Sequence, residues 1–439
     1  MSVSTLETVA PGISDLTPHQ VRYAAIVALI AWTFAVYDLI TFGNLLPAIQ
    51  QNFGWSAGTA SFVATFVSLG SLLVALAVGP VIDLAGRRVA LFVTTGGAAI
   101  SSGLAALAVG PLSLILVRAL AGFGMSEQAV NAAYLNEILP PARKGLVYGL
   151  IQAGWPLGVM LSAGIAVVLE PAIGWRGVFA VATFPLIVIF VLRRGLRESP
   201  YFLKMQHLRK LHANGAAAAE ALAQQWRLDL PREGRNTYAA LFAPALRRHT
   251  LAVGGMFFFK IIADSQMTVL ATSILAQTKG IALTGALWTV FIGNAVAVLG
   301  YLGCGWVGDR IGRRGTVMLA QVLAAAATLL LLFVAQGFIA VVACYALVLF
   351  FAQGAAAPFF AYAGESFPTR VRGSGAAYIN VAGPVGGIFG PLIYGVLLQG
   401  GASPSLAAGS GAVAALLAAA CLLAARPIAP RQDLAAVSH

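Results

Sequence analysis

Long apolar runs alternate along this chain with short clusters of charged residues or Gly and Pro turns. The runs fall near 24–49, 60–81, 89–109, 113–138, 147–169, 177–192, 251–275, 283–307, 317–335, 337–360, 376–398 and 407–425. At ~20 apolar residues per crossing, each reads as a membrane-spanning helix. The polar gap from Arg193 to His249 holds most of the remaining charge and an Ala-rich run at 216–223, and it divides the runs six and six. The pattern predicts an all-α polytopic membrane protein: twelve transmembrane helices in two pseudo-symmetric six-helix bundles. The expected parts are a first bundle over 1–192, a cytoplasmic loop over 193–249, and a second bundle with a cytoplasmic tail over 250–439.

Composition changes the picture only by exclusion. Of 439 residues, 59% are hydrophobic and 10% charged, with a mean hydropathy of +0.86. A water-soluble surface needs far more polar coverage, which excludes a soluble enzyme. The net charge of +12 does not point to nucleic acid, because the basic residues collect in alternate loops. Only four of the 27 Lys and Arg fall elsewhere: Arg176 and Lys279 outside, Arg118 and Lys260 within spans. That is the positive-inside distribution, with both termini cytoplasmic. Cys304, Cys344 and Cys421 lie far apart within apolar runs and predict neither disulfide nor metal site. The first twenty residues carry Glu7 and Asp15 without a basic n-region, so no cleavable signal is expected. No Asn-x-Ser/Thr sequon occurs, which is compatible with a bacterial inner membrane.

The two halves repeat. Gly79-x-x-x-Asp83-x-x-Gly86-Arg87-Arg88 recurs as Gly305-x-x-x-Asp309-x-x-Gly312-Arg313-Arg314, a shift of 226. Tyr134-x-x-Glu137-x-x-Pro140 recurs as Tyr362-x-x-Glu365-x-x-Pro368 at a shift of 228, and Gln152, Pro156 and Gly158 map onto Asn380, Pro384 and Gly386. A duplication of this kind places a solute site between the halves near mid-membrane.

The paired loops after spans 2 and 8, with Arg118-x-x-x-Gly122 in span 4, resemble the major facilitator superfamily. Tyr37-Asp38-Leu39 with Gly43 and Pro47, Gly154-Trp155-Pro156-Leu157-Gly158, and Glu198-Ser199-Pro200 are similar to its proton-coupled organic-acid branches, which carry aromatic acids, sialate or dicarboxylates. The resemblance implies alternating access, with the paired loops stabilising one access state. The Gly residues would let helices approach closely, the Asp would cap or pair across the cytoplasmic mouth, and the Arg residues would anchor at headgroups.

Ionisable groups in hydrocarbon are costly and therefore functional candidates. Five lie within spans: Asp38, Arg118, Glu127, Lys260 and Asp264. No histidine lies at mid-membrane, so a transported proton must ride on a carboxylate: Asp38, Glu127 or Asp264. Asp264 is the repeat of Asp38 at the same shift of 226. Asp38 reads either as a coupling group or as a permanent partner of Arg118. Lys260 and Asp264, four apart on one face, read either as a self-neutralising pair or as a cation for which an anionic substrate competes. Glu127 lies nine residues after Arg118 and faces the opposite side of a regular helix. Both face one cavity only if span 4 deforms at Gly122 or Gly124. Arg118, Lys260, Gln152, Trp155, Asn380 and Tyr378 are the expected substrate contacts, with Gln353 and Asn294 as further cavity polar groups.

The expected function is a secondary transporter, a proton symporter bringing a small organic anion into the cell as a functional monomer in the lipid bilayer. Proton-driven export, a sugar or polyol porter, and a transport-dead sensor are the alternatives. No cofactor is expected, and no P-loop points to ATP.

Overall fold

The protein is described from a computed structural model covering residues 16–139, 151, 153–214, 222–224, 226, 239, 241–367 and 371–427. Among the described residues the regular structure is entirely helical. The first half comprises α1 (Pro18–Phe53), α2 (Ala57–Ala85), α3 (Arg87–Ala105), α4 (Pro111–Ala119), α5 (Gly122–Ile138) and α6 (Gly154–Leu192). A short helix α7 (Pro200–Asn214) follows. The second half comprises α8 (Arg247–Thr268), α9 (Ala271–Lys279), α10 (Leu283–Ile311), α11 (Arg313–Leu329), α12 (Phe338–Gly354), α13 (Ala356–Ser366), α14 (Arg372–Gln399) and α15 (Pro404–Leu423).

Every expected span falls on helix in its described part, and the departures occur at breaks. Spans 5 and 6 run together as α6, turned at Gly174, whose φ of 66° favours a residue without Cβ. Span 4 is two helices, α4 and α5, separated at Leu120 and Ala121. Span 7 is also two, with a 62° bend between α8 and α9 just beyond Asp264. Nine described helices are long and apolar enough to cross a membrane, or ten if that bent pair is one span. Helix starts obey local chemistry: Thr17 and Gln20 form a capping box on α1, and Ser56 caps α2 through the Thr59 N–H.

Helix α1 packs along α6, and α8 packs between α14 and α15. The halves meet where α2 lies on α14 and α6 on α10. Large apolar side chains also cover the outside, among them Leu107, Val109, Val168, Phe184, Leu302 and Ile339. Such an outer surface suits lipid, where every backbone polar group must be satisfied within its own helix.

Candidate functional site: three buried ion pairs and a repeated loop

Asp38 and Arg118 are brought together by α1 and α4, and both are wholly buried. Arg118 Nη1 donates to Asp38 Oδ1 at 3.0 Å and Nη2 to the Asp38 carbonyl at 2.9 Å. Ser102 of α3 donates to the same Oδ1, and the guanidinium lies 5.3 Å from the Phe179 ring centroid. Asp38 Oδ2 and Arg118 Nε have no protein partner. Close by in sequence on α1, Trp32 faces Trp155 of α6 with ring centroids 6.0 Å apart, and neither indole N–H is bonded. The Tyr37 hydroxyl and Asn44 Oδ1 are likewise buried and unbonded. Unspent donors and acceptors are thus concentrated along α1, where a solute could take them up.

Glu127 takes a different partner. Its Oε1 is paired with Nη2 of Arg193, at the end of α6, and its Oε2 accepts from Thr94 at 2.7 Å. Arg193 Nη1 donates to the Leu91 carbonyl, and both charged side chains are buried. The apolar pattern ends span 6 before Arg193 and leaves Arg118 and Lys260 as the cations within spans. The structure buries the Arg193 side chain as well, in a 3₁₀ turn, Arg193–Gly195, that continues from α6. The break in span 4 is present, yet it sends Arg118 and Glu127 to separate partners.

Lys260 and Asp264 pair along one face of α8, both buried, through Nζ and Oδ2. The other oxygen, Oδ1, has no hydrogen-bond partner. Among the remaining expected contacts, Tyr378 packs edge-on to Phe242 and over Gly254. Asn294 is buried and bonds back to the Val290 carbonyl at 2.9 Å, and Gln353 is buried on α12. Gln152 and the side chain of Asn380 lie outside the described residues.

At the loop between α2 and α3, Gly86 has φ 99° and starts α3. Arg87 pairs with Glu137 at 2.7 Å. Glu198 accepts the backbone N–H of Arg87 at 3.1 Å and of Arg88 at 3.0 Å, which sets a carboxylate on the N-terminus of α3. The loop is therefore held by spans 4 and 6 together. In the second copy Gly312 repeats the backbone at φ 103°, Arg313 pairs with Asp309 at 3.1 Å, and Arg314 donates to the Leu422 carbonyl at 2.8 Å as Arg88 does to the Arg194 carbonyl at 3.2 Å. Gly305 lies on α10 near Ala357 of α13. Gly79 lies on α2, and the side chain of Asp83 lies outside the described residues.

Sequence reasoning missed Ser102, Trp32 and Gln321 as well as Arg193. The repeat carried a signal for two of them, since Ser102 maps onto Thr328 and Thr95 onto Gln321 at the shift of 226.

This arrangement defines a polytopic membrane carrier, and comparison with known proteins fixes the family. Residues 24–425 match the family described as sugar (and other) transporter, and the chain belongs to it, within the major facilitator superfamily. It is 25% identical over 395 residues to the 4-hydroxybenzoate transporter PcaK of Pseudomonas aeruginosa, covering 87% of each chain. It is 26% identical over 376 residues to the gallate transporter of Pseudomonas putida, covering 83% of each. An inward-open structure of the xylose transporter XylE from E. coli superposes with a TM-score of 0.73 at 15% identity, over 95% of this chain and 99% of that one. The protein is an integral membrane transporter and not an enzyme.

Proposed function

We propose that this protein is a proton-coupled symporter that brings a small organic anion, an aromatic carboxylate foremost, into the cell by alternating access. The halves over 1–192 and 250–439 would move against one another about the site between them, in the inner membrane, with both termini cytoplasmic and the monomer as the working unit. The observation that carries the reading is the Asp38–Arg118 pair. A wholly buried carboxylate shares one oxygen with a guanidinium and keeps the other free. Protonation of Asp38 releases a planar cation suited to bidentate contact with a substrate carboxylate, and deprotonation reclaims it. Proton and anion then occupy the site together and leave together. The relatives named for 4-hydroxybenzoate and gallate support the aromatic acid.

Purified protein in proteoliposomes tests this with labelled 4-hydroxybenzoate and an imposed pH gradient. Accumulation driven by an acidic exterior is expected. Accumulation driven only by the opposite gradient would mean export, and preference for xylose or a cation over every carboxylate would overturn the anion reading.

A further inference from the structure

The second half contains the duplicate of the Asp38 site with one component missing. Asp264 stands for Asp38 and Thr328 for Ser102 at the shift of 226. Arg118 has no counterpart: at the shifts of 226 and 228 it maps onto Cys344 and Ala346. Among the helices that correspond in chain order to those around Asp38 and Arg118, the second half has a cavity. Its volume is about 10 Å³, room for about one water molecule. Helix α8 lines it with Asp264 and Met267, α11 with Gln321 and Thr328, α12 with Val348 and α15 with Gly411.

Two groups on this cavity are wholly or largely buried and unbonded. Asp264 Oδ1 has no partner, and neither the amide oxygen nor the amide nitrogen of Gln321 has one. Gln321 interrupts an Ala-rich helix, where its two unmet groups carry a desolvation penalty that an alanine would avoid. Its chemistry suits a carboxyl that changes state. An ionised Asp264 accepts from the amide N–H, and a protonated Asp264 donates to the amide oxygen, directly or through one water.

We propose that Asp264 and Gln321 form a second proton-loading site, inside the C-terminal bundle and apart from the Asp38–Arg118 pair. A proton from water adds to Asp264 Oδ1, the neutral carboxyl donates toward Gln321, and Lys260 keeps its own proton and loses its counter-charge. The neutral pair thereby becomes a single cation, which one monovalent anion neutralises. Loading a proton and holding an anion become one electroneutral event. This last step rests on the anion reading above, whereas the proton site itself does not.

Several other ionisable groups lie on helices near α8, and Lys279 of α9 donates to the Leu332 and Ala335 carbonyls at 3.1 and 2.8 Å. Tyr301 of α10 lies within electrostatic reach of Asp264. Tyr345 of α12 donates to the Met267 carbonyl, and Tyr394 of α14 to Gln277. Tyr378 of α14 packs on Phe242, and Cys421 of α15 against Gly255. Among the described residues lining the cavity, Asp264 is the one that is ionisable.

Infrared difference spectroscopy between acid and alkaline pH, on the full chain in detergent without substrate, tests the site. The expected result is a protonated-carboxyl band that is absent from Asp264→Asn and displaced in frequency in Gln321→Leu. Gln321→Leu removes no charge, so it reports even if Asp264→Asn fails to fold. A Gln321→Leu band identical to the wild type overturns the proposal, as does an Asp264→Asn spectrum that keeps the whole band. In weakly buffered solution, benzoate binding is expected to take up fewer protons per anion in Asp264→Asn than in the wild type. A wild type that shows the Gln321-sensitive band but binds no carboxylate supports the proton site and sinks the anion reading. Benzoate binding without an Asp264-dependent band sinks the proton site alone.

Discussion

Arg193 and Glu127, sixty-six positions apart, form a buried ion pair that ties the end of α6 to α5. The glutamate is thereby committed: one oxygen to the guanidinium, the other to Thr94. Arg193→Met leaves Glu127 buried and unpaired, which costs about 3–5 kcal/mol. Thermal unfolding in detergent should show that loss, and the double variant Arg193→Met with Glu127→Gln should recover most of it. If the double variant is as unstable as the single one, the pair is not what Arg193 contributes.

Asp38→Asn keeps the shape and hydrogen bonding of the side chain and cannot titrate. Proton-driven accumulation should fall to simple equilibration across the vesicle membrane, while counterflow exchange of labelled for unlabelled substrate continues. Full concentrative uptake by this variant would move the coupling to another carboxylate. Glu127→Gln should be the milder change, since Glu127 is held by two partners and Asp38 keeps an oxygen free.

Glu198→Ala removes the carboxylate from the N-terminus of α3 without touching the central pairs. A charge at such a position is worth about 0.3–2 kcal/mol, enough to shift an access equilibrium severalfold. Transport should slow more than equilibrium substrate binding weakens, as stopped-flow uptake and equilibrium dialysis would show. Asp309→Asn should act less, because Asp309 is largely exposed and its partner Arg313 lies in the same stretch. Equal losses of binding and rate in Glu198→Ala would contradict an access role for the loop.

The repeat at 226 and the long apolar runs made the helices and the equivalence of Asp38 and Asp264 legible in the sequence. Partners across helices were less so. Arg118 and Asp38 are both visible as charges within the apolar runs, and the sequence offers them as partners. Arg193 was not, because hydropathy ends a span where charge begins, and a 3₁₀ turn can fold that first charge back inside. Gln321 was lost for the opposite reason: a single amide scarcely alters the hydropathy of its alanine-rich surroundings. Whether such an amide is bonded is a property of its neighbours, and the chain alone does not list them. Glu198 was hidden too, since it lies outside the repeated motif.

Trp32 and Trp155 place two indole rings 6.0 Å apart between α1 and α6, with both N–H groups unbonded. An aromatic acid could use these residues twice, stacking on the rings and accepting from the N–H groups. The two contributions separate by substitution. Trp→Phe keeps most of the ring and removes the donor, whereas Trp→Ala removes both. A neutral hydrogen bond contributes about 0.5–1.5 kcal/mol, so Trp32→Phe or Trp155→Phe should weaken 4-hydroxybenzoate binding by about two- to tenfold. Trp155→Ala should weaken it further, and cyclohexanecarboxylate, which lacks the aromatic face, should be less sensitive to that change. Isothermal titration of the purified variants measures each difference. Unchanged affinity in both Phe variants would show that the indole N–H groups do not meet the substrate. Loss in Trp→Phe for 4-hydroxybenzoate but not for benzoate would place the donors at the ring hydroxyl and leave the carboxylate to Arg118.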